Sequence, residues 1–265
     1  MNKLRITTIQ TNVSWEDKKA NLAMLSEKIA RSEKSEIVVL PEMFSTGFSM
    51  NPEKFAEKME GETVAWMRDT AFDSRKIITG SLMIEENGNF YNRLVWMLPN
   101  GNYGYYDKRH LFAFAHENQH YTPGDKRLVA SVNGWKINLL VCYDLRFPVW
   151  SRQQIKKINE NETQPEYDVI IYVANWPIKR IHAWKTLLMA RAIENQCFVV
   201  GVNRVGVDVK DNHYPGETMV IDPMGELLYH AGDKEEIHTS TLDKDLLEMT
   251  RNKFPFWKDA DIFSF

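Results

Sequence analysis

Four short, nearly unbroken apolar runs constrain this chain most: Ile37-Val38-Val39-Leu40, Ile137-Asn138-Leu139-Leu140-Val141, Val169-Ile170-Ile171-Tyr172-Val173 and Phe198-Val199-Val200-Gly201. Runs of this length, bounded by turn-forming residues, read as strands buried on both faces. Such strands need cover on each side. The chain offers helices for it: Leu22, Leu25 and Ile29 recur at helical spacing after a possible Ser14 cap, Val64, Met67 and Ala71 mark a second helix, and Trp184, Leu187, Leu188, Arg191 and Ile193 a third. Residues 4–9 and 76–83 add strands. Asn87-Gly88 and Asn100-Gly101 are hairpin turn signals, bracketing a strand over 92–98 and introducing one that leads to Tyr105-Tyr106-Asp107-Lys108.

The second half repeats the order of the first. Phe198-Val199-Val200-Gly201 echoes Ile77-Ile78-Thr79-Gly80, and the turn Asp222-Pro223-Met224-Gly225 echoes Leu98-Pro99-Asn100-Gly101. This predicts an α/β chain with two pseudo-related halves, their sheets packed face to face and helices outside. No Gly-, Ser- or Pro-rich linker separates the halves, so residues 1–265 read as one domain. Residues 159–165 are the most loop-like stretch. The aromatic tail, about 250–265, is expected to pack on the domain or on a partner subunit.

Charge and cysteine content narrow the function. A net charge of -3 and a pI near 6.2 leave no basic footprint for nucleic acid. No run approaches the 18 or so apolar residues of a membrane span, and the first ten residues lack the apolar core of a signal peptide. The two cysteines, Cys142 and Cys197, are too few for a disulfide framework. A cytoplasmic protein with reduced thiols is expected.

Several polar residues fall just after apolar strands: Glu42, Lys108, Cys142 and Asn175. Strand ends are where α/β folds build sites. If these ends converge, a carboxylate, an ammonium and a thiol share one cleft. A neutral thiol needs activation. A carboxylate could take its proton and later pass it to a leaving amine, while an ammonium stabilises an oxyanion. Each residue also has a plainer reading. Glu42 could cap a helix, Lys108 could belong to a solvated cluster in Asp107-Lys108-Arg109-His110, and a buried cysteine is commonly inert. Met43, Phe44 and Phe48 suit packing as well as a pocket. His116 and His120 stand four apart, but Pro123-Gly124 argues for a loop there and the HExxH order is absent, so no metal site is expected. The GxSxG, Walker and GxGxxG patterns are also absent. No histidine sits in a segment suggesting a papain-like partner for the thiol.

Three segments together resemble the nitrilase superfamily of carbon–nitrogen hydrolases: Val39-Leu40-Pro41-Glu42-Met43-Phe44, Tyr106-Asp107-Lys108-Arg109-His110-Leu111-Phe112 and Leu140-Val141-Cys142-Tyr143-Asp144-Leu145-Arg146-Phe147-Pro148. Ala190-Arg191-Ala192-Ile193-Glu194-Asn195-Gln196 is similar to the superfamily's late helix. The resemblance implies a four-layer α-β-β-α sandwich, commonly a homodimer paired through its helices, with no metal or organic cofactor. It implies a triad of Glu42 as general base and acid, Lys108 as oxyanion stabiliser and Cys142 as nucleophile, with the Tyr143 N–H completing the oxyanion hole. Glu117 matches a second glutamate that orients the lysine and the substrate.

Within the superfamily, Ala174-Asn175-Trp176-Pro177, residues 180–184 and residues 254–261 look like the bacterial omega-amidases. That similarity implies hydrolysis of the terminal amide of 2-oxoglutaramate or 2-oxosuccinamate, a small-molecule amide bearing a distal carboxylate. Another short amide, or a carbamoyl compound, is the nearest rival substrate, and a silent binding scaffold the rival of another class. A bidentate arginine suits the carboxylate. Arg146 and Arg180 are the candidates, with Arg146 read first as a structural ion pair. Trp176 and Phe44 are expected to wall the pocket.

Overall fold

The apolar runs become the middle strands of two six-stranded sheets in a computed structural model that describes residues 2–160, 162–261 and 263. Side-chain alternation explains why the strands are apolar throughout. In Ile37–Val39, Ile37 and Val39 face the second sheet while Val38 faces outward. The outward side packs against Leu22, Leu25 and Ile29 of the helix Lys18–Arg31 and against Val64, Met67 and Ala71 of the helix Glu62–Ser74. Leu94 and Trp96 point inward on Asn89–Met97, and Val95 and Met97 outward. The second sheet is covered by Trp184, Leu188 and Ala192 of the helix Ile181–Asn195. The result is the predicted α-β-β-α sandwich. Each fully buried Val, Leu or Ile contributes roughly 1.5–3 kcal/mol relative to exposure, and such residues fill both the inter-sheet layer and the outer helix–sheet layers.

The two sheets have the same plan. In the first, Glu236–Asp243 lies antiparallel to Lys3–Gln10, which is followed by parallel Ile37–Val39 and Ile77–Glu86 and then antiparallel Asn89–Met97 and Tyr103–Asp107. In the second, Val129–Val132 lies antiparallel to Trp135–Val141, followed by parallel Val169–Ala174 and Phe198–Asn203 and then antiparallel Met219–Ile221 and Leu227–His230. The glycine echo has a shared cause. A Cβ at Gly80 would lie 2.8 Å from Leu40 and Phe44, and one at Gly201 would lie 2.5 Å from Leu188. Each glycine lets a neighbouring segment close onto the third parallel strand.

Two local expectations are corrected. The first helix is capped by Asp17, whose carboxylate accepts from the Ala20 N–H at 3.0 Å, while the Ser14 N–H donates instead to Asn21. Residues 117–120 form a one-turn helix rather than a loop, started by His116 at φ 62°. The described part of the tail packs on the domain. Arg251 donates to Asp168, Tyr167 and Gln196, and Gln196 in turn bonds Phe254 and Trp257; the tail residues 262, 264 and 265 lie outside the described residues. Among the described residues no helix is long and apolar enough to cross a membrane.

Candidate active site

The pseudo-equivalent second parallel strands end side by side. Glu42 follows one and Asn175 the other. The Asn175 N–H donates to Glu42 Oε2 at 2.9 Å, and its side-chain amide donates to the Glu42 carbonyl at 2.7 Å. Two strand ends from opposite halves are therefore tied directly together. Glu42 Oε1 accepts from Lys108 Nζ at 2.8 Å and from Asn92 Nδ2 at 2.9 Å.

Lys108 leaves the end of Tyr103–Asp107 and is held by its own N–H, which donates to the Asn92 carbonyl at 3.0 Å. Its ammonium also meets Glu117, at 3.0 and 2.9 Å from the two carboxylate oxygens. Glu117 is fixed further by the Phe112 N–H at 2.6 Å and by Asn92 at 3.1 Å. Glu42, Lys108 and Glu117 are all fully buried. Burial alone would discharge the ammonium, but the charges of Glu117 and Glu42 outweigh it and hold the Lys108 pKa above its ordinary value. Burial, with the Glu42 charge adding to it, pushes the Glu117 carboxyl up against the pull of Lys108.

Cys142 begins the single-turn 3₁₀ helix Cys142–Arg146 directly after Trp135–Val141, with φ at 44°. A non-glycine residue in this left-handed region marks a sharp, strained turn. The Tyr143 N–H, in the first turn of the helix, is left unused by it, as at any helix start. Burial, then the Glu42 charge, raise the thiol pKa well above its usual value, and Lys108 opposes them. The resting sulfur is therefore protonated, with a carboxylate at hand to receive the proton.

Cys142, Tyr143 and Asn175 line a cavity of about 300 Å³ together with Phe48, Phe112 and Trp176. Arg146 and Arg180 line it as well. The Arg146 guanidinium stacks 5.1 Å over Trp176, and that of Arg180 stands 4.9 Å from the Phe112 ring. Among the described residues no carboxylate lies within ion-pair range of either arginine. The expected ion pair of Arg146 is thus corrected: it faces the cavity, not an acid. Phe44 is corrected too. It is buried against Gly80 and Trp66, away from the cavity lining, and Phe48 takes the cavity position.

The sequence reading missed Asn92, which bridges both carboxylates, and gave Asn175 no role. Among the described residues no three His, Cys, Asp or Glu side chains are grouped to hold a metal. His116 lines the cavity, while His120 ends the short helix. Taken together, a protonated thiol, an adjacent carboxylate and a carboxylate-bound ammonium at the foot of a small chamber can carry acyl transfer.

A profile of the carbon–nitrogen hydrolase family matches residues 5–252. The chain is 42% identical to omega-amidase YafV of Escherichia coli K12, over 99% of both chains. It is 31% identical to 2-oxoglutaramate amidase of Bacillus subtilis 168, over 97% of both. The crystal structure of XC1258 from Xanthomonas campestris, a CN-hydrolase superfamily protein with an arsenic adduct in its active site, superimposes with a TM-score of 0.96 at 43% identity, over 100% of both chains.

Proposed function

The chain belongs to the carbon–nitrogen hydrolase family and hydrolyses an amide C–N bond; from that premise we propose that it takes the terminal amide of a short 2-oxo dicarboxylic acid monoamide, 2-oxoglutaramate or 2-oxosuccinamate. The products are ammonia and the 2-oxo diacid. The observation that carries this reading is the pairing, in one cavity of about 300 Å³, of the buried Cys142 site with Arg146 and Arg180, neither of which forms an ion pair among the described residues. A substrate with an amide at one end and a carboxylate at the other answers both.

The residues then act in sequence. Glu42 takes the Cys142 proton as the sulfur attacks the amide carbonyl. The oxyanion meets the Tyr143 N–H and Lys108. One Lys108 N–H serves Glu42 and one can serve both oxygens of Glu117, which leaves the third for the oxyanion. Glu42 returns the proton to the departing nitrogen and the C–N bond breaks, leaving a Cys142 thioester. Water, deprotonated by Glu42, then attacks the thioester, and the thiol is restored. Glu117 keeps Lys108 aimed, and Trp176 holds the Arg146 side. No metal or organic cofactor takes part in this scheme.

Carboxylate recognition by the arginines has a direct test. A hydrogen bond to a charged group contributes about 1.5–3 kcal/mol, so Arg180→Met is expected to lower kcat/KM for 2-oxoglutaramate by roughly 10–100-fold. Butyramide, which has no carboxylate, should be hydrolysed by the variant as by the parent. Equal losses on both substrates would remove Arg180 from carboxylate binding; Arg146→Met is read in the same way.

We further propose a cytoplasmic homodimer. Val149 and Ile193 are more than half exposed, and their segments are joined by the Gln153 N–H to Asn195 bond of 2.8 Å. Met224, also exposed, precedes Gly225, which lies under Ile193. Ile193→Asp is expected to convert the dimer to monomer in sedimentation equilibrium. A wild type that sediments as a monomer would end this proposal. Both cysteines are free and buried, which suits a reducing compartment.

A further inference from the structure

A single buried carboxylate, outside the group already described, joins the lysine segment to the cysteine turn. Asp144 is fully buried and lies two residues beyond Cys142. Its Oδ1 accepts from the His110 N–H at 3.0 Å and is 2.8 Å from His110 Nδ1. Its Oδ2 accepts from the Tyr106 hydroxyl at 2.8 Å and from the Val141 N–H at 3.0 Å. Tyr106 and His110 stand two residues on either side of Lys108. Val141 and Asp144 bracket Cys142. We propose that Asp144 is a positioning residue, whose carboxylate fixes the Lys108 strand end against the Cys142 turn and so sets the ammonium and the sulfur at working distance. This rests on the reading of Lys108 and Cys142 as catalytic.

The donors around Asp144 explain why an ionised carboxylate is required. An ionised carboxylate only accepts, so His110 Nδ1 carries a hydrogen. The Tyr106 oxygen already accepts from the Arg109 N–H at 3.1 Å and from Trp150 Nε1 at 2.9 Å. Its own hydrogen is therefore committed to Asp144. All four hydrogen bonds run toward Asp144. An amide in its place would turn an N–H₂ group toward two donors, whichever way it was flipped, and break the clamp on one side. A carboxylic acid would break it less but would still oppose one donor. The His110 ring is itself held by stacking 3.8 Å from Phe147, with the planes 6° apart.

The clamp predicts a pattern that a purely structural role would not give. Asp144→Asn is expected to lower kcat on 2-oxoglutaramate by at least about 10-fold, the lower end of what misplacing a supporting group costs, with KM changed less than about 2-fold because the arginines are untouched. Alkylation of Cys142 by iodoacetamide at fixed pH should slow in parallel. His110→Leu removes the Nδ1 donor and should show the same loss. His110→Asn can place an amide N–H where Nδ1–H stood and should restore most of the rate. Should Asp144→Asn fail to fold, the two His110 variants decide the matter. Wild-type kcat and alkylation rate in folded His110→Leu would overturn the proposal, as would equal losses in His110→Leu and His110→Asn. If Cys142→Ala keeps turnover, the catalytic reading itself has failed, and that result is distinct from failure of the clamp.

Discussion

Replacing Cys142 by Ala is expected to abolish ammonia release from 2-oxoglutaramate, with kcat reduced by at least about 10⁴-fold, because in the proposed mechanism the triad acts as a unit and Cys142 forms the thioester. The fold should survive. The change deletes one sulfur from a site that already borders a cavity, and alanine meets the φ of 44° with no more strain than cysteine. The stability of the variant carries its own signature. Burial and Glu42 raise the thiol pKa in the folded protein, so folding favours the neutral thiol. That contribution is present in full below the unfolded thiol pKa of about 8.5. It is lost as pH rises from there toward the folded value. Wild type should therefore lose stability between pH 8 and pH 10, by an amount that Cys142→Ala does not share. Urea midpoints at the two pH values check this. Turnover retained in the folded variant would remove Cys142 from the mechanism.

The layers of this fold were legible because they follow from side-chain period. Ile37–Val39 is apolar at every position because one face meets the other sheet and the next face meets helices. The glycine echo pointed to equivalent strands for the same physical reason, a close crossing at Gly80 and Gly201. The strand-end residues were legible as a group. Which of their neighbours face the cavity was not. Met43, at φ 45°, reverses the chain just after Glu42, sending Phe44 back into the core and leaving Phe48 for the cavity wall. Sequence spacing carries no trace of that reversal. Asp144 and Asn92 were invisible as hinges of the site because their hydrogen-bond partners lie up to 50 residues away. Only the register of the packed sheets brings those partners within reach. The charge-rich stretch around Lys108 looked like a solvated face for a related reason. Counting charges does not show that Asp107 pairs with buried Arg93, or that Lys108 turns inward.

Lys108→Met is the substitution that should damage both activity and stability. Loss of an oxyanion donor costs about 10²–10³-fold in kcat, and here the same side chain also holds Glu42 in place, so the loss should reach about 10³-fold. The variant also leaves Glu42 and Glu117 facing one another, both fully buried, with the single ammonium gone. Breaking a buried ion pair by removing one partner costs about 3–5 kcal/mol. The penalty must depend on pH, and its sign follows from the charges. Glu117 is already raised by burial and by Glu42 and is restrained by Lys108. Without Lys108 that restraint disappears and the pKa rises further. A carboxyl raised in the folded state stabilises fully below its unfolded pKa of about 4.3, and the effect is lost as pH climbs through the folded value. The variant should therefore sit nearest to wild type at pH 5 and fall furthest below it at pH 8. Denaturant unfolding of both proteins at the two pH values measures the difference. A deficit of the same size at pH 5 and pH 8 would mean that the two carboxylates do not depend on Lys108. Full activity in the variant would mean that the oxyanion is stabilised elsewhere.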